Sequence, residues 1–345
     1  MTDSNPTKSL SPSRLDFPDF AKGFAILGIV LFHFFRGHFT GWADHAVTAG
    51  GAGVHLFLML SGFGLTLSEE PPASSLSFYK RRVLKILVPY FIAITLIFFV
   101  NQLMPLYPNR GWYAWLGHLL LFKMFDERII NSFGGHFWFL STLVQLYLAY
   151  PFLAVMQKRL QPVFFFLTAL AISLIYGGLL VITGKADLKV YNAFFLQYLW
   201  EFCTGMLLAR WFTDKGWAFW RQPLVILATG AVVGLLLTAV LALRGGPVGK
   251  IFNDIPSAMG ITCLAALSFK LLNRFAWPVK QAVLFIGGIS YELYLTHMLV
   301  WGVILAGWVE YGAGPVAFPM RLLALGAACV VAYGYRSLLA PIRVL

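Results

Sequence analysis

The sequence predicts an all-α fold: a polytopic membrane helical bundle of about ten transmembrane helices, with both termini cytoplasmic. Three observations predict it. Of the 345 residues, 59% are hydrophobic and only 12% charged, with a mean hydropathy of +0.76, whereas a soluble domain is about 25% charged. Apolar runs long enough to cross a bilayer recur along the whole chain. Lys and Arg gather at alternate ends of those runs, about sixteen on the side of the N-terminus against nine on the other, and the richer side is the cytoplasmic one.

Residues 1–16 form a polar cytoplasmic tail carrying Lys8 and Arg14, and residues 17–345 form one transmembrane domain. The tail and first run mimic a signal peptide, but the run is longer than a signal's apolar core and no small-x-small cleavage site follows it. The expected spans are 17–35, 51–68, 83–104, 136–157, 162–182, 191–212, 222–243, 255–273, 281–306 and 315–340. Residues 112–124, WYAWLGHLLLFKM, are too short to span and carry Trp and Tyr, which suits an interfacial or re-entrant helix. No soluble domain, low-complexity linker or repeat interrupts the series. The net charge of +12 has no soluble basic face to occupy, which argues against nucleic acid as a partner and for contact with membrane lipids. Cys203, Cys263 and Cys329 all fall inside apolar runs, as small core residues do.

Two ionisable groups stand out in the first span. Lys22 and His33 lie eleven residues apart, about three helical turns, so they share one face roughly 16 Å apart along the axis. Such groups are costly in hydrocarbon and face a protein interior or a wet cavity. In the second span, Ser61-Gly62-Phe63 places a glycine where backbones can approach closely.

This stretch resembles acyltransferase family 3, a family of integral membrane acyltransferases. The family's first helix carries Arg, ten residues and His; here Lys22 and His33 fit that spacing with Lys in place of Arg. The next helix carries a Gly-Val-polar-Leu-Phe…Ser-Gly-Phe pattern, matched by Gly53-Val54-His55-Leu56-Phe57 and Ser61-Gly62-Phe63, although an acid is common where His55 stands. The resemblance extends to three further stretches. Arg81, Arg82 and Lys85 open the third span and resemble an Arg-x-x-Arg motif. His136-Phe137-Trp138-Phe139-Leu140 resembles the start of a middle span. Ser290-Tyr291-Glu292-Leu293-Tyr294-Leu295-Thr296-His297 resembles a late Ser-Tyr-x-x-Tyr-Leu-x-His motif.

The resemblance implies a function and a site. An acyl group, acetyl by expectation, passes from cytoplasmic acyl-CoA to a hydroxyl of an extracytoplasmic acceptor, a cell-envelope sugar or glycolipid. The protein would sit as a multi-pass protein in a bacterial inner or plasma membrane. His33 would be the catalytic base, with Lys22 as its companion on the same face. Arg81, Arg82 and Lys85 would dock the phosphates of coenzyme A at the inner rim. Ser61, Trp138, Glu201, Tyr291, Tyr294 and His297 would line the substrate site, with His297 at a depth similar to His33; His136 could approach the acceptor from the edge. No metal is expected, because the two histidines have no acidic or cysteine companion at ligand spacing. The membrane unit would bind the acceptor itself. From the residues alone a proton-coupled transporter also accounts for intramembrane Lys, His and Glu, whereas an interaction scaffold leaves them unexplained. Release of free coenzyme A separates the enzyme from the transporter.

Overall fold

The computed structural model describes residues 15–68, 75–108, 111–310 and 316–343. The tail through Arg14, with its Lys8, and Arg110 of the charge count lie outside them. Among the described residues the secondary structure is helical, in the order α1 Asp16–Phe35, α2 Trp42–Ala49, α3 Gly53–Ser68, α4 Ser75–Arg82, α5 Val88–Leu103, α6 Trp112–Leu119, α7 Trp138–Arg159, α8 Pro162–Ile182, α9 Lys189–Asn192, α10 Leu199–Lys215, α11 Leu224–Arg244, α12 Gly246–Phe252, α13 Asp254–Phe275, α14 Trp277–Gly288, α15 Ser290–Glu310 and α16 Phe318–Arg343.

Among the described residues, eight helical segments are long and apolar enough to cross a membrane, or nine if the bent pair α14–α15 counts as one. This is a multi-pass membrane protein. Large apolar side chains such as Leu236 and Leu243 of α11 and Val330 of α16 stand exposed on its outside, as a lipid-facing surface requires. Two of the ten expected spans differ from a plain crossing. In place of a continuous helix over 191–212, the chain makes α9, a 3₁₀ turn at Phe195–Tyr198, and then α10. The irregular backbone is satisfied by neighbouring helices: Thr142 donates to the Ala193 carbonyl at 2.6 Å, Ser173 to Leu196 at 2.7 Å, and the Phe195 N–H donates to Gln145 Oε1 at 3.2 Å. Such breaks are tolerated at membrane depth only with partners of this kind. The expected span 281–306 is likewise broken, at Gly288-Ile289, where α14 and α15 meet at 81°. Gly287 and Gly288 are poor helix formers, and Arg336 donates to the Gly288 carbonyl that the break frees, at 2.7 Å.

Two helix crossings hold the centre. A methyl group at Gly62 of α3 would run into the Phe202 carbonyl of α10, and one at Gly205 into the Met59 carbonyl of α3. The α1–α14 crossing repeats the device, with Gly23 against Val283 and Gly287 against Asp19. Backbone contact of this closeness is how helices associate where no hydrophobic force separates them from lipid.

Between α4 and α5, Val83–Leu87 forms a π-helical turn. Pro89 has no N–H and its ring crowds the carbonyl four residues back, so the regular ladder fails there. The tyrosines of the last two helices take up nearby carbonyls: Tyr291 donates to Ile86 at 2.6 Å and Tyr335 to Pro89 at 2.5 Å.

Candidate active site

A cavity of about 680 Å³ runs between α1, α3, the π turn, α7 and the α14–α15 break. Asp19, Lys22, Arg82 and Lys85 line one end; His33, His136 and Trp138 line the other. Asp19 and His33 are fourteen residues apart on one helix, so the cavity extends about 21 Å along α1.

At the far end, His33 Nδ1 lies 2.9 Å from His297 Nε2. His297 Nδ1 lies 2.9 Å from the Leu293 carbonyl and 3.0 Å from that of Tyr294. Only an N–H can meet a carbonyl, so His297 carries its proton on Nδ1 and its Nε2 is an acceptor. His33 must then donate from Nδ1, which leaves the lone pair on its Nε2 available. The break at Ile289 makes this pairing possible: it starts a new helix that carries His297 to the depth of the α1 imidazole. The two histidines that the sequence placed at one depth are in direct contact.

His136 joins them, with its ring 6.1 Å from His33 and 4.9 Å from His297. It is buried, and neither ring nitrogen has a hydrogen-bond partner. Its backbone is pinned: Tyr294 donates to the His136 carbonyl at 3.0 Å, and Lys123 to the Phe137 carbonyl at 3.0 Å. Lys123 is wholly buried in the segment after α6, and burial pushes its ammonium down to about 7. Sequence reading left His136 at the edge of the acceptor site and did not single out Lys123. The signal available was a lysine inside an apolar run; its bond to Phe137 joins segments with no sequence pattern in common.

At the near end, Lys22 makes a 3.2 Å ion pair with Asp19, one turn away, and its side chain is 40% exposed. Arg82 and Lys85 line the cavity, whereas Arg81 is exposed and does not; the π turn spoils the simple helical spacing by which Arg81 and Lys85 would share a face. Ser61 lies on the cavity wall, as does Tyr147. Tyr291 and Tyr294 also line the wall, but both hydroxyls are donated to backbone carbonyls. Lys189 Nζ sits 4.1 Å above the Trp138 ring, a cation–π contact that holds the indole in the cavity wall.

Glu201 stands elsewhere. It is fully buried beside His55, with Oε1 2.9 Å from His55 Nδ1, and Asp254 Oδ1 lies 3.6 Å from His55 Nε2. An acid at position 55 would face two carboxylates here; the imidazole pairs with both. Glu201 does not line the cavity.

A family model described as "Acyltransferase domain" matches residues 15–335. The chain is similar to "Acyltransferase MdmB" of Streptomyces mycarofaciens, 27% identical over 82% of this chain and 79% of that protein. It is also similar to a protein named "Putative acetyltransferase ORF330" of Acidianus two-tailed virus, 23% identical over 87% of this chain and 88% of that one. No solved structure matches the chain. With a family match across nearly the whole of it, the chain belongs to acyltransferase family 3.

Proposed function

We propose that the protein transfers an acyl group, acetyl in the first instance, from acyl-CoA to a hydroxyl of an extracytoplasmic saccharide or glycolipid. The observation that carries this reading is one continuous cavity with cations at one end and an imidazole at the other. The charged nucleotide end of coenzyme A docks on Arg82 and Lys85, where phosphate–cation hydrogen bonds are strong. Lys22 adds a point charge at the same end, already partnered by Asp19. The slender pantetheine arm lies along the cavity and presents its thioester near His33. The acceptor enters from the opposite end, so neither substrate crosses the membrane whole. This sidedness rests on the excess of Lys and Arg at the N-terminal side.

His33 Nε2 takes the proton from the acceptor hydroxyl as its oxygen attacks the thioester carbonyl carbon. A C–O bond forms and the carbonyl π pair moves onto oxygen. The pair returns as the C–S bond breaks, and the departing sulfur takes the proton back from His33. His297 accepts the His33 Nδ1–H throughout, which holds the ring in the productive tautomer.

The test is release of coenzyme A from acetyl-CoA by membranes of the source cell, with mass spectrometry of the envelope glycans alongside. His33→Ala is expected to lose about 10²–10⁴-fold in rate while the protein inserts at normal levels. Activity near wild type at equal protein, or acceptor movement without thiol release, would overturn the reading.

A further inference from the structure

The cavity holds one imidazole that base chemistry leaves unused. We propose that His136 is a catalytic residue: its ring N–H donates a hydrogen bond to the acyl carbonyl oxygen and stabilises the oxyanion formed when the acceptor attacks. This rests on the acyl-transfer reading above.

The imidazoles packed around it are already committed. His297 uses Nδ1 on two carbonyls and Nε2 on His33. His118 uses Nδ1 on the Tyr90 hydroxyl at 2.7 Å and Nε2 on Ser132 at 2.9 Å. His136 alone among them is buried, at 6% exposure, with both ring nitrogens unpartnered on the wall of the cavity that holds His33. Leaving such a group unmatched costs about 1–3 kcal/mol, a cost that a ligand oxygen would remove.

The surroundings select an anionic oxygen. The ionisable groups that face His136 are His297, His33, Lys123 and His118, with no carboxylate among them. No negative group among them opposes charge developing on a ligand oxygen there. The His33 and His136 ring centroids are 6.1 Å apart on the wall of one cavity, close enough for both imidazoles to address the same acyl group. The donor is also preorganised. Phe133 and Gly134 take φ of 56° and 121°, conformations that only glycine adopts freely. A Cβ at Gly134 would lie 2.7 Å from His136 Cε1. With Tyr294 and Lys123 fastening the His136 and Phe137 carbonyls, the ring does not have to reorganise as charge appears, which is the condition for strong oxyanion stabilisation. The N–H stays with His136 throughout; only the electron pair on the carbonyl oxygen comes and goes.

The test is isotope-edited infrared spectroscopy of the purified full chain with acetyl-CoA labelled at the carbonyl carbon, together with steady-state rates. Wild type should lower the carbonyl frequency of bound donor. His136→Ala at saturating donor should return the band to its solution position and reduce kcat by about 10²–10³-fold. His136→Gln, which keeps an N–H, should recover part of both, a rescue that a purely structural role would not give. An equally displaced band in His136→Ala overturns this assignment alone, as does a loss confined to the acceptor KM. Wild type that binds no acetyl-CoA overturns the transfer reading and this assignment together.

Discussion

The contact between the two histidines predicts the size of a defect. In the ground state His33 donates a neutral hydrogen bond to His297 Nε2 at 2.9 Å. As His33 takes up the acceptor proton it becomes an imidazolium, and the same bond becomes charge-assisted. Bonds to charged groups contribute about 1.5–3 kcal/mol against about 1 for neutral pairs. His297→Phe fills similar space and removes the acceptor; the Leu293 and Tyr294 carbonyls keep their places in the helix. The difference of about 0.5–2 kcal/mol, at about 1.4 kcal/mol per decade of rate, should lower kcat roughly 2–30-fold, with both KM values held. That is a smaller loss than for His33→Ala, because the base survives. His297→Gln, with an acceptor oxygen on a flexible arm, should fall between Phe and wild type. The assay is coenzyme A release at matched protein content in membranes lacking the natural copy. Wild-type turnover by His297→Phe would refute the coupling, and so would Gln and Phe variants that are equally impaired.

Three further outcomes follow from the same cavity. Arg82→Ala and Lys85→Ala should raise the KM for acyl-CoA more than that for the acceptor, and added salt should mimic them in part; a change in acceptor KM alone would exclude the docking role. Lys22→Gln should lower turnover and Lys22→Arg should preserve it; if the residue only screens the buried Asp19, Gln will match wild type in coenzyme A release. Lys123 titrates near 7 when folded and near 10.4 when unfolded. The unfolded chain therefore binds the extra proton between those values, so stability should rise with pH across that window and stay flat below it. Lys123→Met should abolish this rise in thermal unfolding in detergent, and should lower activity because the Phe137 carbonyl loses its tie; an unchanged pH dependence would show that Lys123 is not the titrating group.

Much of the fold was legible because hydrocarbon imposes a length on every crossing. Eight segments of the bundle needed little more than a count of apolar residues. The two that broke did so for reasons outside their own sequence. The 3₁₀ turn before α10 stands because Thr142, Gln145 and Ser173 of other helices reach its backbone. Within the site, the Lys22–His33 spacing put both residues on one face, and both line the cavity. The partnership of His33 and His297 could be placed only in depth, since residues 264 apart share no local pattern. Glu201 looked like a site acid because a carboxylate in an apolar run demands a partner; the partner was His55, across the α3–α10 crossing rather than in the cavity. That both ring nitrogens of His136 lack a partner could not be read in advance, because its isolation is a property of its neighbours' commitments, which no single stretch of sequence records.

The π turn before Pro89 has a meaning for how this helix can change length. A residue gained or lost inside a membrane helix ordinarily swings everything beyond it by about 100° and moves it by 1.5 Å. Val83–Leu87 already holds one residue in surplus of a regular ladder. Removing one residue there would let the turn close into ordinary α-helix, leaving the packed face of α5 in register and shifting only the Arg82 end. The segment that carries the cationic rim is thus a slack link. A single-codon deletion there would leave the bundle threaded, whereas the same change in one of the regular helices around it would turn a packed face out of register.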